Sequence, residues 1–189
     1  MEGNLMSELE KFQRKLDRAF RLIRSAYPVL QANDTIVPKS GENARWANRR
    51  TGTIAFANHE GTVTRCEIVG DTCSPDQTEW IANTMAGAQE MVRRVVMNKE
   101  ILTSWQNRNH KRGQRGGGIE IPTLTCRYGA IAFAGLPESA NECLVIESNL
   151  ETGFITNTEA EIFRSFSQQD ISQDLRQSVH DVCHSVWHP

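Results

Sequence analysis

The chain has 189 residues, 39% of them hydrophobic, with a net charge of -2 and an isoelectric point near 6.2. That length suits one domain with an extension and can bury a proper core, while the near-neutral charge argues against a dedicated nucleic-acid binder, which usually carries a basic excess. No apolar run approaches the roughly 20 residues of a membrane span, and MEGNLMSELEKFQRK lacks the apolar stretch of a signal peptide, so a cytoplasmic protein without a membrane partner is expected.

Ser7 with Glu10 forms a capping-box pattern, and Leu9, Phe12, Leu16, Phe20 and Ile23 keep helical spacing up to Pro28; this predicts a first amphipathic helix. Residues 31–50 have no period and read as a loop. Thr53–Ala57 and Thr62–Val69 are strand candidates, and the Asn58-His59-Glu60-Gly61 turn between them suits an antiparallel hairpin. Ser74 as N-cap, Pro75 in first position and Ile81, Met85, Ala88, Val92 and Val95 at spacings of three and four mark a second helix, extending as far as Trp105. Its small residues Ala86, Gly87 and Ala88 would let it approach a sheet closely. Two further strand candidates follow, Ile119–Thr125 and Tyr128–Ala134, the second apolar enough to be buried.

Beyond Gly135 the segment ECLVIESNL reads as a helix opened by Pro137 and Glu138, although Cys143–Ile146 would serve as a buried strand. Asn157 caps a short helix with Ile162, Phe163 and Phe166. Leu175, Val179, Val182 and Val186 mark the apolar stripe of a terminal one. Helices packed on a mainly antiparallel sheet define the α+β class. Cys66, Cys73, Cys126, Cys143 and Cys183 are odd in number and include no C-x-x-C pair, which fits reduced, buried thiols.

A resemblance is carried by Gly116–Glu138, GGGIEIPTLTCRYGAIAFAGLPE. It is similar to the signature of the haem-degrading (GlcG/HbpS-like) family, in which a Gly-Gly-Ile-Pro-Ile-like strand leads to a Val-Gly-Ala-Ile-Gly-Val-Ser-Gly-like strand. Gly116, Gly117, Gly118, Ile119 and Ile121 match the first, and Gly129, Ala130, Ile131 and Gly135 the second. The hairpin Ile54–Gly61 and the helix residues Ile81, Ala82 and Ala86 follow the family's order. Asn58, Met85 and Glu120 stand where the family has Asp, Lys and Pro. The resemblance covers about residues 8–150. It implies a profilin-like domain over 1–155, with 156–189 as a helical C-terminal extension. It also implies a homo-oligomer and a haem, tetrapyrrole or other small-molecule ligand, with haem degradation as an activity of the family.

Haem needs a wide apolar surface and an axial donor. His59 at the hairpin tip and His180 or His184 on the last helix are the candidate donors. His180, His184 and His188 recur every four residues on one helix face with Cys183 beside them, a row that could hold a transition metal or simply favour the helix's negative end. Backbone amides of Gly116, Gly117 and Gly118 could cradle an anion, with Arg112 and Arg115 as counter-charge for phosphate or propionate; a flexible turn is the plainer reading. Two other classes stay open. One is a non-catalytic small-molecule sensor of GAF-like type. The other is nucleic-acid binding through Arg108, His110, Lys111, Arg112 and Arg115, with Trp105 for stacking. CLVIESNLETGFI, Cys143–Ile155, resembles the end of diadenylate cyclase domains, but their other motifs are missing. No familiar catalytic set is present.

Overall fold

The computed structural model describes residues 2–40, 46–72, 77–112, 114–122 and 128–189. Its elements are α1 (Glu2–Ala32), β1 (Thr51–Ala57), β2 (Val63–Gly70), α2 (Thr78–Met97), β3 (Gly118–Pro122), β4 (Tyr128–Ala134), α3 (Glu138–Glu151), α4 (Asn157–Phe166) and α5 (Gln173–Trp187). The four strands form one antiparallel sheet in the order β2-β1-β4-β3. This is the expected α+β architecture, with the glycine-led strand beside its apolar successor and α2 laid across both.

Strand side chains alternate between two faces, and here the two faces differ in size. Toward α2 the sheet presents Ala55, Ala57, Ala130 and Ala132, which pack with Ala88, Met91, Val92 and Val95. Toward α1 and α3 it presents Ile54, Phe56, Ile119, Ile121, Ile131 and Phe133. α5 packs outside α1 and α3.

Helix α1 is longer than its sequence punctuation suggests. The Ser7–Glu10 pair lies within it rather than at its start, and Pro28 lies inside its last turns. A proline there removes one backbone donor and crowds the carbonyl four residues back. The helix continues because Ala26, Tyr27 and Leu30 are fully buried on the same stripe as Phe20 and Ile23. Leu9, expected in the core, is 47% exposed. Ser74 and Pro75, the expected start of α2, lie outside the described residues. The helix ends at Met97 rather than reaching Trp105, because Asn98 leaves helical geometry.

The ambiguous segment after Gly135 is a helix, and its surroundings explain the ambiguity. Every residue of α3 from Ala140 to Asn149 is buried, since the sheet covers one side and α1 and α5 the other. A helix buried all round shows no amphipathic period. Thr156 rather than Asn157 caps α4, in a reciprocal box with Glu159. Ala160, Phe163, Val179 and Cys183, from α4 and α5, join the same core as the sheet. Among the described residues no helix is long and apolar enough to cross a membrane.

Candidate functional site

The glycine run is the hub between the sheet and α3. A side chain at Gly116 would strike the Trp105 ring at 2.3 Å; one at Gly117, which has φ +119°, would strike Asn141 Cβ at 2.8 Å. Only glycine meets both demands, steric and conformational. The three amides are already satisfied by the chain itself. Gly116 N–H donates to Glu138 Oε1 (2.5 Å), Gly117 N–H to Glu142 Oε2 (2.8 Å) and Gly118 N–H to Ser104 Oγ (2.9 Å). The expected anion cradle is therefore filled from within, by two glutamate side chains one turn apart on α3 and by the Ser104 hydroxyl.

Glu142 is completely buried, and its Oε1 has no hydrogen-bond partner among the described residues. Burial pushes this carboxyl up to about 7, against the pull of the Gly117 amide, so a proton is held where an ordinary glutamate has lost it. Asn141 closes the start of α3 by exchanging hydrogen bonds with Leu136 N–H and C=O, both at 3.0 Å.

Beside this hub, a cavity of about 580 Å³ opens between the first turns of α2 and the end of β4. That size falls within the range of small-molecule pockets. Trp46 and Trp80 meet edge to face at 5.0 Å and wall one side, and Trp80 is anchored by its indole N–H on Thr51 O at 2.9 Å. Ala86, Gly87, Ala134 and Gly135 make the space by being small, and Gly116 and Met91 line it as well. Its polar groups are few: Asn83, Thr84, Glu90, Arg115 and Asn141. Glu90 is neutralised by Arg94, whose Nε lies 2.8 Å away. Arg115 has no ion-pair partner among the described residues, so an anionic group on a ligand would be drawn toward it.

The site residues expected from sequence divide sharply. Gly116 and Arg115 line the cavity; Gly117 and Gly118 lie buried behind it, and Arg112 is exposed on a three-residue 3-10 turn, His110–Arg112. His59 sits at the opposite end of α2, in the turn where Gly61 approaches Met97. His180 and His184 lie on α5 and His188 just past its end, on the far side of α3, and none of them lines the cavity. His180 Nδ1 is 2.9 Å from Glu147 Oε2, and His188 Nε2 is 3.4 Å from Glu151 Oε2. Cys183 points inward and is 1% exposed, its thiol held protonated by burial. Among the described residues no three His, Cys, Asp or Glu side chains are disposed to hold a metal ion. The three rings follow one another along the surface, with centroids 6.1 and 4.8 Å apart, while Cys183 beside them turns into the core.

Two residues of the expected nucleic-acid surface, Trp105 and Arg108, are engaged internally. Trp105 is buried, with its indole N–H on Asp170 (3.2 Å); Arg108 stacks 4.0 Å above that ring and pairs with Asp170 at 3.1 Å. These two contacts hold the Asp170 carboxyl below its ordinary range. The expected stacking platform for nucleic acid is therefore occupied by the protein's own arginine. Sequence reasoning missed Trp46, Trp80, Asn83 and Asn141. The run Ala86-Gly87-Ala88, noted for close approach, was the one signal near them.

No family model matches this sequence, and no curated protein matches it. One solved structure, the crystal structure of the PduOC:heme complex, is similar with a TM-score of 0.50 at 11% identity, covering 74% of this chain and 91% of that one. At that identity the likeness concerns the fold, which it supports as profilin-like.

Proposed function

We propose that this protein binds a flat, largely apolar, anionic small molecule of tetrapyrrole size, with haem as the leading ligand. The observation that carries the reading is the cavity: two tryptophans on one wall, small residues opposite, and Arg115 as a cation without an ion-pair partner among the described residues. Such a pocket offers stacking surface to a macrocycle and a guanidinium to a propionate. The haem held by the structurally similar PduOC protein supports the same reading. His59 and the α5 histidines, once candidate axial donors, stand away from this cavity, so they do not serve a ligand bound there. If the ligand is haem, the chain's part is to bury the macrocycle between Trp80 and the β4 end and to hold a propionate at Arg115; iron would supply any redox chemistry.

The test is a titration of metal-free protoporphyrin into the protein, followed by tryptophan fluorescence. Saturable quenching at one equivalent is expected, because Trp46 and Trp80 form the wall. Gly87→Leu should abolish it, since a side chain there meets nothing nearer than Ala134 Cβ at 3.9 Å and extends into the space. Equal quenching in that variant would remove the cavity from the case.

A further inference from the structure

A second cleft, of about 400 Å³, lies where α4 and α5 meet over α3. On α5, Gln173, Arg176, Gln177 and His180 recur at helical spacing and so share one face. Glu161, Arg164 and Ser165 do the same on α4, continued by Gln168 just past its end. Neighbouring helices ordinarily close on each other through apolar stripes. Here the apolar residues Ala160, Phe163, Val179 and Cys183 are given to the core, and two polar stripes border open space instead. Among the described residues the lining holds no apolar side chain, so its guest must be a polar one.

The charges in this cleft are not matched evenly. Arg164 bridges two carboxylates, Glu161 at 2.5 Å and the buried Glu147, and Glu147 also holds His180 Nδ1 at 2.9 Å. Arg176 differs. Its guanidinium is fixed by neutral acceptors, Arg164 O and Ser167 Oγ at 3.0 Å each and Ile171 O at 3.4 Å, and it has no carboxylate partner among the described residues. Its Nη1 likewise has no hydrogen-bond partner there. A guanidinium held in place with its charge unmatched is a preorganised seat for a carboxylate or phosphate. With the Nδ1 proton of His180 given to Glu147, the Nε2 lone pair is left to accept from a hydroxyl. The exposed side-chain amides of Gln168 and Gln173 add donors and acceptors beside it. We infer that the cleft binds a small hydroxylated anion, a sugar acid or sugar phosphate, with its charged group on Arg176 and its hydroxyls on His180 and the glutamines. This site is independent of the tetrapyrrole reading.

The experiment is a calorimetric titration of the full chain with gluconate, glycerol 3-phosphate, inorganic phosphate and glycerol. Gluconate or glycerol 3-phosphate should bind saturably at one equivalent, and the tighter of the two tells carboxylate from phosphate. Inorganic phosphate and glycerol, each carrying half of the recognised chemistry, should bind at least tenfold more weakly. Arg176→Gln should weaken the preferred probe at least tenfold. Ser165→Phe, which fills the cleft from α4 without touching the contacts of Arg176, should abolish binding, and it decides the matter alone where circular dichroism shows Arg176→Gln unfolded. Absence of saturable heat with both gluconate and glycerol 3-phosphate would overturn the inference. So would unchanged affinity in Ser165→Phe or in folded Arg176→Gln. Either result leaves the cavity beside α2 as it stands.

Discussion

The two faces of the sheet are built to different rules. Beneath α1 and α3 the strands carry isoleucine and phenylalanine, and the space between layers is filled by their bulk. Beneath α2 they carry alanines and Gly118, so the helix settles close to the backbone and little volume remains between. Where α2 begins and β4 ends, the same economy of side chain continues through Ala86, Gly87, Ala134 and Gly135, but α2 and the sheet no longer close on each other and the cavity is left. Side-chain size thus selects which side of a sheet can hold a guest. The large face gives stability, and the small face gives access.

Exchanging these rules should break the molecule in different ways. Phe133→Ala, on the filled face, should cost about 3–5 kcal/mol, read from denaturant midpoints, with porphyrin quenching retained below the transition. Ala132→Leu, on the close-packed face, should cost about 1–3 kcal/mol through overpacking against Met91 and should weaken ligand binding by moving α2 outward. Binding unchanged in Ala132→Leu, or lost in folded Phe133→Ala, would show that the division between faces is wrong.

Proton linkage separates the faces as well. Glu142 on α3 and Glu120 on β3 both have folded pKa values raised by burial from 4.5 to about 7. Between those values the folded state holds protons that the unfolded state has released, so stability falls as pH rises through this window and levels off above it. Glu142→Gln should remove most of that slope. Glu120→Gln should remove less, because Glu120 is only half-buried. A slope of the same size in Glu142→Gln would show that this carboxyl titrates as an ordinary one. The smallest effect is expected at Gly87→Ala, a stabilisation of about 0.5–1 kcal/mol from helix propensity, measured by thermal melting, with binding kept.

The hairpin, α2 and the β3–β4 pair could be read from periodicity because each has one buried and one less buried side, or a continuous apolar run between turn residues. α3 could not, since burial on all sides erases the pattern, and α1 was cut short because Ser7 and Pro28 resemble boundaries that tertiary packing overrides. The site divides along the same line. Arg115 and Gly116, which line the cavity, stand out in the sequence through the glycine run, whose anion-cradle explanation gave way to close packing against Trp105 and α3. Trp46 comes from an aperiodic loop and Trp80 from a helix start, and nothing local says that they meet. Four-residue spacing put His180 and His184 on one stripe of α5, with His188 just past the helix end, but spacing carries no information about the layer a stripe faces.

The strand order has a consequence for how the chain finds this structure. β1 pairs centrally with β4, so Thr53 must meet Ala134 after most of the intervening chain has been made and positioned. Closing such a distant pair carries an entropic cost before any reward, which places folding on a slower timescale than a helical bundle of this size. In hydrogen exchange, the amides shared by β1 and β4 should be the last to open.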